Sequence, residues 1–162
     1  MKFFRQIRNI IWDWNGTLLD DAHYSLRIVN ELLGRRGMPP VTLERYLNVF
    51  GFPVADYVRR LGLGTKAESQ SISLEFMELS EAERQRCSLR GDAVIVLGLL
   101  RENGIQQAIL SAYRQQALRD VVAELDIDSY FHAIVGVDND HAFGKISRGL
   151  RWFAQSGWPR DQ

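Results

Sequence analysis

Ile10-Ile11-Trp12-Asp13-Trp14-Asn15-Gly16-Thr17-Leu18-Leu19-Asp20-Asp21 is the stretch on which the fold of this 162-residue chain turns. The apolar cluster at residues 7–12 is too brief for a helix and rich in β-forming residues, so it reads as a short buried strand. Asp13 then falls at the strand's carboxyl end, where a tight polar turn containing Gly16 begins. Open α/β sheets present reactive groups at such strand ends, which makes Asp13 the first candidate for chemistry.

Working outward, Asp21 is a candidate N-cap, and Leu26, Val29, Leu32 and Leu33 recur at helical spacing until Gly34, Gly37 and the Pro39-Pro40 pair stop the pattern. Residues 42–50, 54–61 and 66–79 predict further helices, punctuated by Gly51, Pro53, Gly62 and Gly64. Four helices with no strand between them imply a small helical subdomain. After Arg90-Gly91-Asp92 the character changes. Residues 93–101 predict an apolar helix ending near Gly104, 106–110 a strand running into Ser111, and 114–125 a helix. Residues 131–137 read as an apolar strand leading to Asp138-Asn139-Asp140-His141, and Lys145 begins a last helix that fades near Gly157. Strands alternating with helices indicate a parallel sheet with right-handed crossovers. The expected class is α/β: a Rossmann-like core of residues 1–20 and 88–162, interrupted by a helical insertion of residues 21–87.

Composition sets the outer limits. A hydrophobic content of 46% is ordinary for a globular chain, and twenty basic residues balance twenty acidic ones. No global field draws such a chain to nucleic acid or to an anionic membrane, so any anion must be held locally. No segment approaches the ~20 apolar residues of a membrane span. A single cysteine, Cys87, cannot form an internal disulfide, which suits a reducing cytoplasm. Its basic neighbours Arg84 and Arg86 could lower the thiol pKa, but without a companion base an ordinary thiol is expected.

Asp13 after the first strand, Ser111 after the second and Lys145 after the third are gathered by a parallel sheet at one end. A carboxylate nucleophile, a hydroxyl that hydrogen-bonds phosphoryl oxygens and an ammonium that neutralises their charge make a phosphoryl-transfer site, since that chemistry is mostly positioning and electrostatics. Carboxylate and phosphate repel unless a cation lies between them, and Mg²⁺, which prefers oxygen donors, would supply it.

The segments IIWDWNGTLLDD, AILSAYR with Ser111 and FGKISRG with Lys145 resemble, in their usual order, the first three motifs of the haloacid dehalogenase-like hydrolases. Residues 20–88 resemble the inserted helical cap of the phosphoglycolate phosphatase-like branch. The resemblance implies that Asp13 forms an aspartyl-phosphate and that Lys145 steadies both nucleophile and phosphate. Ser111, Ala112 and Gly16 would join Lys145 in holding the phosphate, and the backbone carbonyl of Asn15 would join Asp13 in binding Mg²⁺. The implied substrate is a small phosphorylated metabolite of phosphoglycolate type.

Two departures qualify it. The family's phosphatases carry a second Asp that protonates the leaving alkoxide and then activates water; Asn15 stands there and has no titratable carboxyl, and losing such a group costs ~10² to 10⁴-fold. Only seventeen residues follow Lys145, so the family's next strand and acidic fourth motif have no counterpart. The chain is therefore expected to be a shortened phosphatase, or to pair its first strand, left as a sheet edge, with another chain. A weakened or inactive phosphate-binding protein is the competing expectation. Asp20 and Asp21 read as helix caps, Asp138 and Asp140 as turn residues or a substitute metal ligand, and His23, His132 and His141 as lacking zinc spacing. Trp12 reads as core and Trp14 as a wall of the site or a contact with the cap, while Trp152, Phe153 and Trp158 pack the last helix.

Overall fold

A computed structural model describes residues 7–51, 54–65, 67–83, 86–138 and 145–158. The chain divides into two compact units, Met1–Leu19 with Leu89–Gln162, and Asp20–Ser88.

The first unit is built on a parallel three-stranded sheet of order β1-β4-β5, with β1 at Asn9–Trp12, β4 at Gln106–Arg114 and β5 at Ala133–Val137. Asn9 pairs with Gln106 and Trp12 with Ile109; Ala108 pairs with Ala133 and Leu110 with Val135. The expected α/β plan with a parallel sheet is therefore present. Helix α5 (Ala93–Glu102) buries Ala93, Leu97 and Leu100, and α6 (Gln115–Glu124) buries Leu118, Val121 and Val122. Together with Ala108, Ile109, Val135 and Val137 these make the core. Helix α7 (Lys145–Ser156) carries Gly149 against Leu110, where an added Cβ would stand 2.5 Å from a leucine methyl. Glycine lets α7 lie this close to β4 without displacing the Leu110 side chain.

Two features differ from the sequence reading. Strand β4 does not stop before Ser111 but runs through it to Arg114, with the register shifting between Leu110 and Arg114. At that break the Gln115 side-chain amide donates to Ile134 O at 3.0 Å and accepts from Gly136 N at 2.9 Å, as a peptide group would. Trp12 is half-buried rather than core: its Nε1 donates to Gln107 Oε1 at 3.0 Å, and Gln107 Nε2 donates to Leu97 O at 2.9 Å. One buried amide thus ties β1 and α5 to β4 and satisfies groups that could not be buried unpaired.

The second unit is helical: α1 (Ala22–Gly34), α2 (Leu43–Val49), α3 (Val54–Arg60) and α4 (Ser69–Glu83). The helical spacing of α1 puts Ile28, Val29, Leu32 and Leu33 on one face, where they meet Tyr46, Tyr57, Val58, Leu61, Leu63 and Ile72. Thr42 caps α2 by accepting from Arg45 N at 3.2 Å, whereas Asp21, at the cap position of α1, makes no capping bond with its side chain. A short ribbon, β2 (Leu19–Asp20) paired with β3 (Ser88–Leu89), lies where the chain passes between the units. Two residues per strand carry no readable period, and the ribbon is absent from the sequence reading.

Candidate active site

Parallel pairing of β1 with β4 fixes where Asp13 stands. It follows Trp12, the last paired residue of β1, and so emerges at the carboxyl end of the sheet. The chain then turns tightly: the N–H groups of Thr17, Leu18 and Leu19 all donate to Trp14 O, at 3.2, 3.0 and 3.0 Å. Gly16 sits in this turn at φ +70°, a conformation L side chains rarely adopt, and an added Cβ would meet nothing within 4 Å. Glycine is needed there for its backbone freedom, not for space.

The structure brings Asp13 and Lys145, 132 residues apart, together. Lys145 Nζ donates to Asp13 Oδ1 at 2.6 Å, and Trp14 N donates to the same oxygen at 2.9 Å. Oδ2 takes no hydrogen bond among the described residues, and the Asp13 side chain stays 44% exposed. One oxygen is thus anchored and charge-compensated while the other faces outward, as a carboxylate nucleophile requires. Lys145 is the first residue of α7, and Arg148, one turn on, donates to Asp138 Oδ2 at 2.8 Å just beyond the end of β5. This second pair fastens the first turn of α7 to the sheet and so holds Lys145 in reach of Asp13. Sequence reading missed Arg148. The available signal was a cation one helical turn after Lys145 with an acid following the preceding strand.

Ser111 lies on the neighbouring strand, one residue beyond the level of Asp13 by the pairing of Trp12 with Ile109. It is 1% exposed, inside β4 rather than after it, and its Oγ accepts from Tyr113 N at 3.1 Å. The hydroxyl proton remains able to donate. Ala112 is half-buried beside it, and Asn15 and Gly16 are exposed in the turn. Trp14 is fully buried and lines core rather than an open site wall. Asp138 is engaged by Arg148, which argues against its serving as a substitute metal ligand; Asn139, Asp140, His141 and Gly144 lie outside the described residues. His132 stacks against Trp158 at 5.9 Å, and His23 is an exposed residue of α1. Burial, reinforced by Asp21, Glu83 and Asp20, pushes the Cys87 thiol up to about 11, so it is unreactive at neutral pH.

Hard oxygen donors are the right chemistry for Mg²⁺, which takes one or two carboxylates and keeps several waters. The Asp13 carboxylate and the Asn15 carbonyl have that donor chemistry. Among the described residues no group of three His, Cys, Asp or Glu side chains forms a fuller metal cage.

A family model for haloacid dehalogenase-like hydrolases matches residues 10–143, from the strand of Asp13 through Ser111 to just before Lys145. The chain belongs to that family. Phosphoglycolate phosphatase 1 of Pseudomonas aeruginosa is 24% identical over 139 residues, covering 81% of this chain and 51% of that protein. Phosphoglycolate phosphatase of Rhodobacter capsulatus is 26% identical over 136 residues, 80% of this chain and 62% of that one. The haloacid dehalogenase-like chain spans about half the length of the curated relatives it matches. The solved structure of protein tyrosine kinase A (PtkA) from Mycobacterium tuberculosis superposes with a TM-score of 0.79 at 22% identity, covering 98% of this chain and 73% of that one. At that identity it supports the fold alone. Among the described residues no helix is long and apolar enough to cross a membrane.

Proposed function

We propose that this chain is a phosphatase acting on a small phosphate monoester through an aspartyl-phosphate on Asp13. The observation that carries the reading is the 2.6 Å contact between Lys145 Nζ and Asp13 Oδ1 at the end of β1. Asp13 Oδ2 attacks phosphorus, the bond to the ester oxygen breaks, and the alkoxide leaves; water then cleaves the acyl-phosphate and regenerates the carboxylate. Lys145 offsets the charge on nucleophile and phosphoryl group, and Ser111 with the Ala112 and Gly16 backbone holds phosphoryl oxygens. Asp13 and the Asn15 carbonyl would hold Mg²⁺, which when bound would supply positive charge between carboxylate and phosphate.

Asn15 shapes the substrate range. It can neither protonate the leaving oxygen nor take a proton from water, so esters with acidic alcohols are favoured over alkyl phosphates such as phosphoglycolate. The same residue supports the second reading, a weakened enzyme retained as a phosphate-binding protein. The single unpaired thiol suits a cytoplasmic setting. Turnover of p-nitrophenyl phosphate, with and without Mg²⁺, by the wild type and by Asp13→Asn tests the proposal. A Mg²⁺-dependent rate lost in Asp13→Asn supports the enzyme. Equal rates in both proteins, with phosphate still binding, would favour the second reading.

A further inference from the structure

We propose that Gln115 and Gly136 are positioning residues for the Ser111 hydroxyl, a role that rests on the reading of Ser111 as a ligand of phosphoryl oxygens. They act from the start of α6 and from β5, and neither needs to touch substrate. The place where they act is a break in the sheet. Leu110 and Arg114 of β4 are four residues apart, whereas their partners on β5, Val135 and Val137, are two apart. Across the break β4 thus carries two residues more than β5, and the surplus has to bulge out of the ladder. Ser111 opens that bulge, one residue beyond the level of Asp13 at the same end of the sheet. A bulge re-aims side chains but gives up ladder hydrogen bonds, so other contacts must fix its shape.

Two contacts with β5 do so. The side-chain amide of Gln115, the first residue of α6, donates to Ile134 O at 3.0 Å and accepts from Gly136 N at 2.9 Å, so the far end of the bulge is tied to one strand by both arms of an amide. Gly136 supplies the second contact by lacking a side chain. A Cβ there would stand 2.6 Å from Tyr113 O, 2.8 Å from Gln115 Cα and 2.9 Å from Gln115 N. These are main-chain atoms, which cannot swing aside as the end of a side chain can. Any larger residue at 136 therefore moves the bulge itself.

The bulge in turn sets Ser111. Tyr113 N donates to Ser111 Oγ at 3.1 Å, which fixes where the oxygen sits, fills one of its acceptor positions and leaves the hydroxyl proton to donate. Ser111 is 1% exposed, so this N–H, rather than bulk water, orients it. A line of contacts runs from Ile134 and Gly136 through Gln115 and Tyr113 to the one hydroxyl that the site offers to a phosphoryl oxygen. A clamp that served stability alone would be indifferent to the side chain at 111. A positioning clamp is coupled to it.

Calorimetric titration of the full chain with inorganic phosphate, alongside KM and kcat for p-nitrophenyl phosphate, tests this. Gln115→Met keeps the length of the side chain without its amide, and Gly136→Ala adds the methyl group that the bulge has no room for. Each is expected to weaken phosphate binding about tenfold, the worth of one hydrogen bond to a charged group, and to raise KM by a like factor. In a Ser111→Ala background the same substitutions should change phosphate affinity no further, and the double-mutant cycle reads that coupling directly. Circular dichroism identifies the folded variants; because the two lie on different elements, misfolding of one leaves the other decisive. Unchanged phosphate affinity in a folded variant overturns the proposal and leaves Ser111 as a phosphate ligand. A loss just as large without the Ser111 hydroxyl also overturns it, by marking a purely structural clamp. A wild-type chain that neither binds phosphate nor cleaves the ester overturns the reading of the site itself, and the proposal with it.

Discussion

In the helical unit, residues 20–88, the apolar faces of α1, α2, α3 and α4 converge on one another, and charges pair across the unit: Arg36, in the turn after α1, with Glu75 of α4 at 2.9 Å, and Arg27 of α1 with Glu83 of α4. In the sheet unit the same kinds of side chain are distributed differently. A run of aliphatics on α5 and α7 stays exposed, and the 2.6 Å pair of Lys145 with Asp13 stands at the open end of a strand. An ion pair between two surface helices adds little and could be exchanged for other residues. A pair that leaves one carboxylate oxygen outward, beside a glycine turn, is poorly explained by stability and well explained by chemistry. The contrast teaches that the two units answer to different demands, and each claim can be broken by substitution.

The largest effect is expected at Lys145. Lys145→Met removes the positive charge beside the nucleophile, and loss of one such stabilising group costs ~10² to 10³-fold in kcat, or about 3 to 4 kcal/mol. Steady-state turnover of p-nitrophenyl phosphate measures it. If Lys145→Met kept wild-type kcat, the pair would be no different in kind from those of the helical unit.

Next comes packing. Leu32 is fully buried in the helical core, and Leu32→Ala should cost about 3 kcal/mol, within the usual range for such truncations. Leu150→Ala on α7, where that side chain is 67% exposed, should stay within ~0.5 kcal/mol. Urea titrations read both from the shift in midpoint at unchanged slope. Similar costs at the two sites would erase the distinction between a closed unit and an open one.

Asn15→Asp sharpens the chemical side. Supplying a carboxyl in the turn after Asp13 should raise turnover of alkyl phosphates by ~10²-fold, the lower end of what general acid–base groups contribute, and aryl phosphates less. The ratio of the two gains is the informative quantity: an equal rise for both would mean that leaving-group protonation is not what Asn15 lacks.

Much of this was legible in the chain, and the reasons differ by residue. Strand β1 announces itself by composition, α1 by spacing, and the alternation of strand and helix after residue 90 by both. The meeting of Asp13 with Lys145 follows from parallel topology alone, which sets successive strand ends side by side. Ser111 was misplaced because a polar residue after Ile109-Leu110 looks like a strand's end. In fact β4 continues through it, a tertiary outcome set by pairing of Arg114 with Val137. Trp14 was read as a site wall or a contact with the helical insertion because it alternates with Trp12 along the first strand, yet strand alternation alone cannot say which face is core when both can be covered. Arg148 and Gln107 were invisible for a common reason: each matters through a partner in another element, Asp138 or Trp12.

The smallest effect belongs to the helical unit's own charges. Arg36, and then Arg35, hold the Glu75 carboxyl below its ordinary range by hydrogen bonding to it, against a partial desolvation that raises it. A carboxyl whose pKa is lowered on folding stabilises the fold above its unfolded pKa, and that contribution is lost as pH falls through the lowered folded value. Glu75→Gln should therefore cost only ~0.5 to 1 kcal/mol at neutral pH, since the site is partly exposed and screened by solvent. The gap between variant and wild type should close as the pH falls from the ordinary glutamate range through the lowered folded value, where Glu75 itself becomes neutral. Paired urea titrations from pH 7 to pH 3 measure this, and kcat at neutral pH should be the same for both proteins. A gap that persists in acid would assign the effect to packing of the glutamate stem, and a fall in kcat would show that the two units' ion pairs do not divide between fold and chemistry as their geometry indicates.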